Sequence, residues 1–190
     1  MQLDPLLAQI DPDGEIPPVD RWHPEHGGEM DLTIAADGRW IHEGTPIARP
    51  RLVRLLSTIL RREPDGSYLL VTPAEWQRIR VEDRPFLVVD AEHEQDGTWW
   101  LTTNVGDRLA LGEERRLELS ETPSGETVPE VAVRFGLNAR LGRNVYYRLV
   151  EQAETRELGD GSLELGLTSQ GSWQPLGRLD AEARRDSEST

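Results

Sequence analysis

A chain of 190 residues with 36% hydrophobic content and six Trp can build one large domain or two small ones around a modest core. It has no Cys, and all 21 basic residues are Arg, which excludes disulfides, thiolate chemistry, Schiff bases, pyridoxal phosphate anchoring and Walker A phosphate loops. A net charge of −14 argues against nucleic acid and anionic membrane surfaces as partners, because both need dense positive potential.

Residues 4–10 read as a short helix, with Asp4 as N-cap and Pro5 at its first position. Residues 11–29, rich in Pro, Gly and acids, read as irregular chain, with Trp22 pinning it to the body. Residues 31–34 and 39–42 flank Ala35-Ala36-Asp37-Gly38, the pattern of a β-hairpin. A helix is predicted over 50–60, a turn at Asp65-Gly66 and a strand over 68–72. Pro73-Ala74-Glu75 then opens a short segment ending at 81–83. Strands follow at 86–90, 99–103, 115–119 and 130–135, then a helix over 144–155 and strands at 163–167 and 172–175. Residues 181–190 are polar and charged, and a mobile tail is expected there.

The chain thus divides into an irregular N-terminal segment 1–29, an α+β domain 30–86, a strand-rich domain with one helix 87–178, and a polar tail 179–190. No apolar run approaches the roughly eighteen residues of a membrane span, and residues 1–10 lack the basic start and apolar centre of a signal peptide. A cytoplasmic location with no membrane partner is the expectation.

An internal repeat organises this pattern. At an offset of 94, Arg49, Arg54, Leu55, Arg62 and Glu63 recur as Arg143, Arg148, Leu149, Arg156 and Glu157; after one inserted residue, Asp65-Gly66-Ser67 recurs as Asp160-Gly161-Ser162. The apolar sets Leu52, Leu55, Leu56, Ile59 and Tyr146, Leu149, Val150, Ala153 each lie at i, i+3, i+4, i+7 of a helix. Each copy reads as an amphipathic helix, an Asp-Gly turn and a strand. The fold class is therefore α+β, two halves from a duplicated helix-turn-strand unit with mostly antiparallel sheets.

Charge is uneven. From Arg49 to Arg84 eight Arg face five acids, a local +3, while the other 154 residues carry 13 Arg and 30 acids, or −17. Such an island either receives an acidic or phosphorylated partner or pairs internally with neighbouring Glu.

Catalytic signatures are sparse. His23, Glu25 and His26 have metal-like composition, but Pro24 breaks regular presentation and no third His is near. His93, between Glu92 and Glu94, lacks the second His of a zincin and reads as a solvated strand end. The Asp-Gly pairs lack the alternating carboxylates of a calcium loop and read as turns. No nucleophile elbow or dinucleotide fingerprint is present, and no cofactor is expected. Glu82 and Asp83 are the one adjacent acidic pair near the island; with His42 they supply the alternative of a hydrolase or transferase. A structural role fits them as well, Asp83 pairing with an Arg beside Pro85. A purely structural or oligomer-forming protein is a third reading, which an exposed apolar patch would mark.

The run from Trp22-His23-Pro24 through residues 31–40, 44–49, 52–60, 68–75 and 79–86 resembles the bacterial family known as domain of unknown function 1285 (DUF1285), densely over 22–86 and more loosely to about 175. Arg84 departs from it, standing where the family commonly has a small residue. The resemblance implies a duplicated α+β core, a C-terminal half loosely like pleckstrin-homology folds, a binding surface between the halves, a place in signal transduction with a protein or nucleic-acid ligand, and no reaction. Carried over as candidate binding residues are Trp40, Arg49, Arg54, Thr72, Pro73, Glu75, Glu82 and Asp83. Together these readings favour a non-enzymatic module that takes a protein or small anionic ligand at the interface of the halves, with nucleic acid discounted for acidity and Trp76 as a further aromatic contact.

Overall fold

The computed structural model describes residues 15–179, so the predicted helix at 4–10 and the tail at 181–190 lie outside the described residues. The chain forms two compact units. One comprises Met1–Phe86 with Val133–Asn138, the other Leu87–Ala132 with Ala139–Thr190.

The N-terminal unit is a six-stranded sheet of order β3-β2-β1-β6-β5-β4. Its strands are β1 (Gly27–Ile34), β2 (Trp40–His42), β3 (Thr45–Pro46), β4 (Leu60–Arg62), β5 (Tyr68–Val71) and β6 (Trp76–Val81). All neighbours are antiparallel except β1 and β6, which are parallel. Alternation explains β1: Met30, Leu32 and Ile34 are buried while Glu29 and Asp31 face solvent. The same period makes β6 a strand where the sequence suggested only a short segment, with Gln77 and Ile79 buried between exposed Arg78 and Arg80.

Helix α1 (Pro50–Thr58) begins with Pro at its first position and ends two residues short of the predicted 50–60. Its end has a chemical cause. The Ser57 and Thr58 hydroxyls donate back to the carbonyls of Arg54 and Leu55 at 2.6 and 2.7 Å, and the chain re-enters as β4, a strand the prediction lacked. An N-terminal strap lies over β4: the Arg61 guanidinium donates to the carbonyls of Val19 and Trp22 at 2.5 and 2.7 Å and to Glu63. Val19, the first residue of the strap's 3-10 turn, is fully buried.

The C-terminal unit carries a six-stranded sheet of order β10-β11-β12-β7-β8-β9 and a three-stranded antiparallel sheet β13-β14-β15. These strands are β7 (Phe86–His93), β8 (Trp99–Thr103), β9 (Arg108–Ala110), β10 (Leu117–Glu121), β11 (Thr127–Arg134), β12 (Leu137–Leu141), β13 (Glu154–Glu157), β14 (Leu163–Ser169) and β15 (Ser172–Leu179). The tip of the β11–β12 hairpin belongs to the N-terminal unit, where the Arg134 guanidinium donates to Ser57 O at 3.0 Å and lies 5.2 Å from the Phe86 ring centre. Buried Ser169 and Gln174 join the sheets. Ser169 accepts from Trp99 N at 2.8 Å and donates to Leu111 O at 2.7 Å; Gln174 accepts from Leu117 N at 2.9 Å and donates to Gly112 O at 3.2 Å.

Helix α2 (Arg143–Val150) is shorter than the predicted 144–155, because residues 154–157 form β13 against β14. Every β13 residue is exposed, so no apolar alternation announces it. The buried face of α2 is also corrected: Val145 and Leu149 are its buried residues, whereas expected Tyr146 and Val150 are half-buried. Gly142, its N-cap, has no room for a side chain, since an added Cβ would stand 2.7 Å from the Val88 carbonyl oxygen. Gly142→Ala is expected to cost about 1–2 kcal/mol in urea unfolding, overpacking outweighing the entropic gain.

Both repeat segments run helix, strand, Asp-Gly turn, strand. In the first turn Gly66 N donates to Glu63 O, Glu63 N to Ser67 O and Ser67 N to Asp65 Oδ1; Gly161, Leu158, Ser162 and Asp160 reproduce the pattern within 0.1 Å. The hairpins at Asp37-Gly38 and Asp96-Gly97 use it too. Each Asp is thus occupied in closing its own turn, and each carboxyl lies below its ordinary value: Asp65 and Asp160 chiefly through the Ser67 and Ser162 hydroxyls, Asp37 and Asp96 chiefly through the Arg39 and Thr98 backbone N–H groups.

Candidate functional site

The eight candidate residues all lie in the N-terminal unit, and the structure sorts them into anchors and free groups. Trp40 is corrected from surface to core: it is 2% exposed, and its buried indole N–H has no hydrogen-bond partner among the described residues. Trp76 is half-buried with its ring over Gly27, where an added Cβ would come within 2.1 Å of it.

Thr72, Pro73 and Glu75 build the β5–β6 turn. Buried Thr72 donates its backbone N–H to Glu75 O at 2.9 Å, and its hydroxyl both donates to that oxygen and accepts from Glu75 N at 3.2 Å. The Glu75 carboxylate accepts from buried Gln77 at 3.3 Å, and Pro73 is exposed at the tip. This closed circuit of bonds is what a tight connection between two strands requires.

The two adjacent acids have separate duties. Glu82 accepts from Ala36 N at 2.9 Å, bracing the β1–β2 turn across 46 residues of sequence. Asp83, with a side chain 7% exposed, stands 3.6 Å from the Arg84 guanidinium. Neighbouring strand-end residues point apart, which is why the two carboxylates serve different partners. Among the described residues, no group of three or more His, Cys, Asp or Glu is placed to hold a metal ion. His93, read as a bare strand end, stacks on Trp99 with ring centres 4.6 Å apart.

Arg49 and Arg54 differ from the other six. Both are exposed, and neither side chain has a hydrogen-bond or ion-pair partner among the described residues. Arg49 is the N-cap of α1, its carbonyl accepting from Leu52 and Val53; Arg54 lies five residues on. The first turn of α1 has no acid and its N-terminus no side-chain cap. Residues 44–62 hold five Arg and no Asp or Glu. Elsewhere on the island Arg61 is committed to the strap and Glu63, Arg84 stands beside Asp83 and Arg62 lies over the Tyr68 ring, while Arg78 and Arg80 on β6 are exposed and, like Arg49 and Arg54, have no hydrogen-bond or ion-pair partner among the described residues. Internal pairing therefore accounts for part of the island and leaves α1 with unneutralised positive charge at the end where its own dipole is positive.

Models of the two halves of one family match nearly the whole described chain: "Domain of unknown function (DUF1285), N-terminal domain" over residues 17–84 and "Protein of unknown function (DUF1285), C-terminal domain" over residues 85–176. The chain belongs to the DUF1285 family. A crystal structure of a DUF1285 family protein from Silicibacter pomeroyi DSS-3 is 39% identical, with a TM-score of 0.82 over 97% of this chain and 98% of that one. A second, from Shewanella baltica OS155, is 29% identical, with a TM-score of 0.52 over 65% of this chain and 92% of that one. No curated protein matches. The two copies of the repeat fall one in each DUF1285 domain, and among the described residues no helix is long and apolar enough to cross a membrane.

Three groups of consequence carried no sequence signal as a site: the Arg61 clamp, the buried Arg140–Glu130 pair with side chains 5% and 8% exposed, and buried Glu164 held by Arg156, Arg178 and Trp173. The Arg61 clamp joins residues 42 and 39 apart in sequence, whereas Glu164 meets Arg156 and Arg178 as cross-strand neighbours, a pairing that needs the strand register to be known.

Proposed function

We propose that this DUF1285 protein is a non-enzymatic binding module whose N-terminal unit receives an anionic ligand on the basic α1 segment, with Arg49 and Arg54 as its first contacts. One observation carries the reading: in a chain of net charge −14, these two exposed guanidiniums have no partner among the described residues. Unspent Arg beside a positive helix end offers planar, bidentate recognition of carboxylate or phosphate. The alternative of a carboxylate enzyme is weakened by the separate engagements of Glu82 and Asp83. A role in signal transduction, with the C-terminal unit as a pleckstrin-homology-like scaffold, extends this reading; an antiparallel sheet bearing one short helix is compatible with it.

Thermal unfolding against increasing poly-glutamate or citrate tests the proposal. The midpoint of the wild type is expected to rise with ligand concentration, as binding to the folded state alone requires, while Arg49→Gln/Arg54→Gln keeps its starting midpoint and loses the rise. An equal rise in both proteins overturns it.

A further inference from the structure

Resting on that reading, we infer that the α1 site is regulated from within the chain: residues 3–10 dock on a half-covered apolar stripe of α1 and compete there with the anion. Leu52, Leu55, Leu56 and the C-cap Ile59 run along one side of the helix, yet only Leu56 and Ile59 are buried, while Leu52 and Leu55 are half-buried. Going round α1 from its buried side, Leu52 and Leu55 come next, and exposed Arg54 follows about 100° beyond Leu55. An occupant of this stripe needs an apolar ridge with acidic flanks.

The chain carries one. Leu3, Leu6, Leu7 and Ile10 repeat the i, i+3, i+4, i+7 spacing, and residues 1–14 hold Asp4, Asp11 and Asp13 with no Arg. They complement the five Arg and no acid of residues 44–62 in charge as well as in apolar pattern. The tether fits. Arg61, three residues after the end of α1, holds the Val19 carbonyl. The nine residues from Ile10 to Val19 extend to at most about 32 Å, whereas α1 spans about 13.5 Å and the step to Arg61 at most about 11 Å. All of α1 is therefore within reach. So short a tether gives an effective concentration of order millimolar, far above that of a second copy in dilute solution.

Because the chain has no Cys, introduced pairs report directly. Leu6→Cys or Leu7→Cys is combined in the full chain with Leu55→Cys and, as control, with Pro50→Cys, which lies on the same helix about 140° away. A disulfide needs Cβ atoms about 3.5–4.5 Å apart, so at least one Leu55→Cys pair is expected to close intramolecularly at least about tenfold faster than its Pro50→Cys counterpart. Calorimetric titration with citrate then compares wild type with Leu6→Ser/Leu7→Ser. The variant is expected to bind at least about threefold tighter, because a competitor that fills the site most of the time lowers apparent affinity by the free fraction. Far-ultraviolet circular dichroism checks that each variant is folded, and Leu52→Cys takes the place of Leu55→Cys should the latter unfold the unit.

Equal closure rates at the two helix positions overturn the docking. Disulfide-linked dimers in place of the intramolecular product assign the stripe to a second copy and overturn it too. Selective closure with the same citrate affinity in wild type and variant overturns the competition and leaves the anion reading standing. If neither protein binds citrate below about 10 mM, the reading beneath the inference fails with it, whatever the disulfides show.

Discussion

Arg140→Met is expected to destabilise the C-terminal unit by about 4 kcal/mol, a large part of the 5–15 kcal/mol typical of a domain. Arg140, in β12, is 4% exposed, yet its guanidinium is well satisfied. It donates to Ser120 Oγ at 2.7 Å and to the carbonyls of Val128 at 3.0 Å, Ser120 at 3.2 Å and Glu121 at 3.3 Å, with Glu130 Oε2 at 3.7 Å. The β10–β11 hairpin is thus stapled to β12 through one side chain. Methionine fills similar volume but leaves those oxygens without their donor and strands the Glu130 carboxylate, which is itself only 6% exposed. Urea unfolding followed by far-ultraviolet circular dichroism should show the loss. Adding Glu130→Gln should recover part of it by removing the stranded charge, and that recovery separates electrostatics from packing. A loss below about 1 kcal/mol for Arg140→Met would show that the network contributes no more than an ordinary surface site.

Glu164→Gln is expected to cost about 2–3 kcal/mol at neutral pH and much less in acid. Glu164, in β14, has a side chain 4% exposed. It accepts from Arg156 Nε and Nη2 at 2.9 and 2.6 Å, from Trp173 Nε1 at 2.9 Å and from Arg178 Nε at 3.3 Å, and Arg156 lies 4.7 Å over the Trp173 ring. Burial opposes the charge, but the hydrogen bond and charge of Arg156, aided by Arg178 and Trp173, hold the carboxyl below its ordinary value of 4.5. Both Arg side chains are about half exposed or more, so solvent screens part of the attraction and keeps the expected cost below that of a fully buried pair. A folded-state value depressed in this way contributes stability fully above the unfolded value. That contribution is lost as pH falls through the folded value. The gap between wild type and variant should therefore be constant from neutral pH down to about 5 and narrow below the ordinary Glu value. A gap unchanged in acid would assign the cost to packing alone.

Elements with a clear period were legible in the sequence. The alternation in β1, the apolar spacing opening α1 and the Asp-Gly turns each follow from local chemistry, and each stands where that chemistry places it. What escaped had no local signal: β13 is wholly exposed, β12 hides Arg140 among Leu137, Ala139 and Leu141, and β4 is three residues long. The repeat is informative in its helical part and less so in its turn, because the Asp-Gly circuit recurs in hairpins outside both copies. Among the candidate residues, Thr72, Pro73 and Glu75 were recognisable as a turn from residue type alone. The reach of Glu82 to Ala36 spans 46 residues of sequence and depends on strands that meet only in the folded sheet.

The parallel seam between β1 and β6 sets how the N-terminal unit is assembled. The segment β1–β2–β3 and the segment β4–β5–β6 are each antiparallel meanders, with neighbours close in sequence. Each can zip from its own turns as it leaves the ribosome. Until residue 81 has been made, however, the edge of β1 that will meet β6 stays open, with its N–H and C=O groups in water. Joining the halves closes the chain over residues 35–75, at an entropic cost of order 3 kcal/mol if that stretch were still flexible. Turns already formed within it shorten the effective loop. Four hairpin connections thus convert one long-range closure into the docking of two prepared pieces.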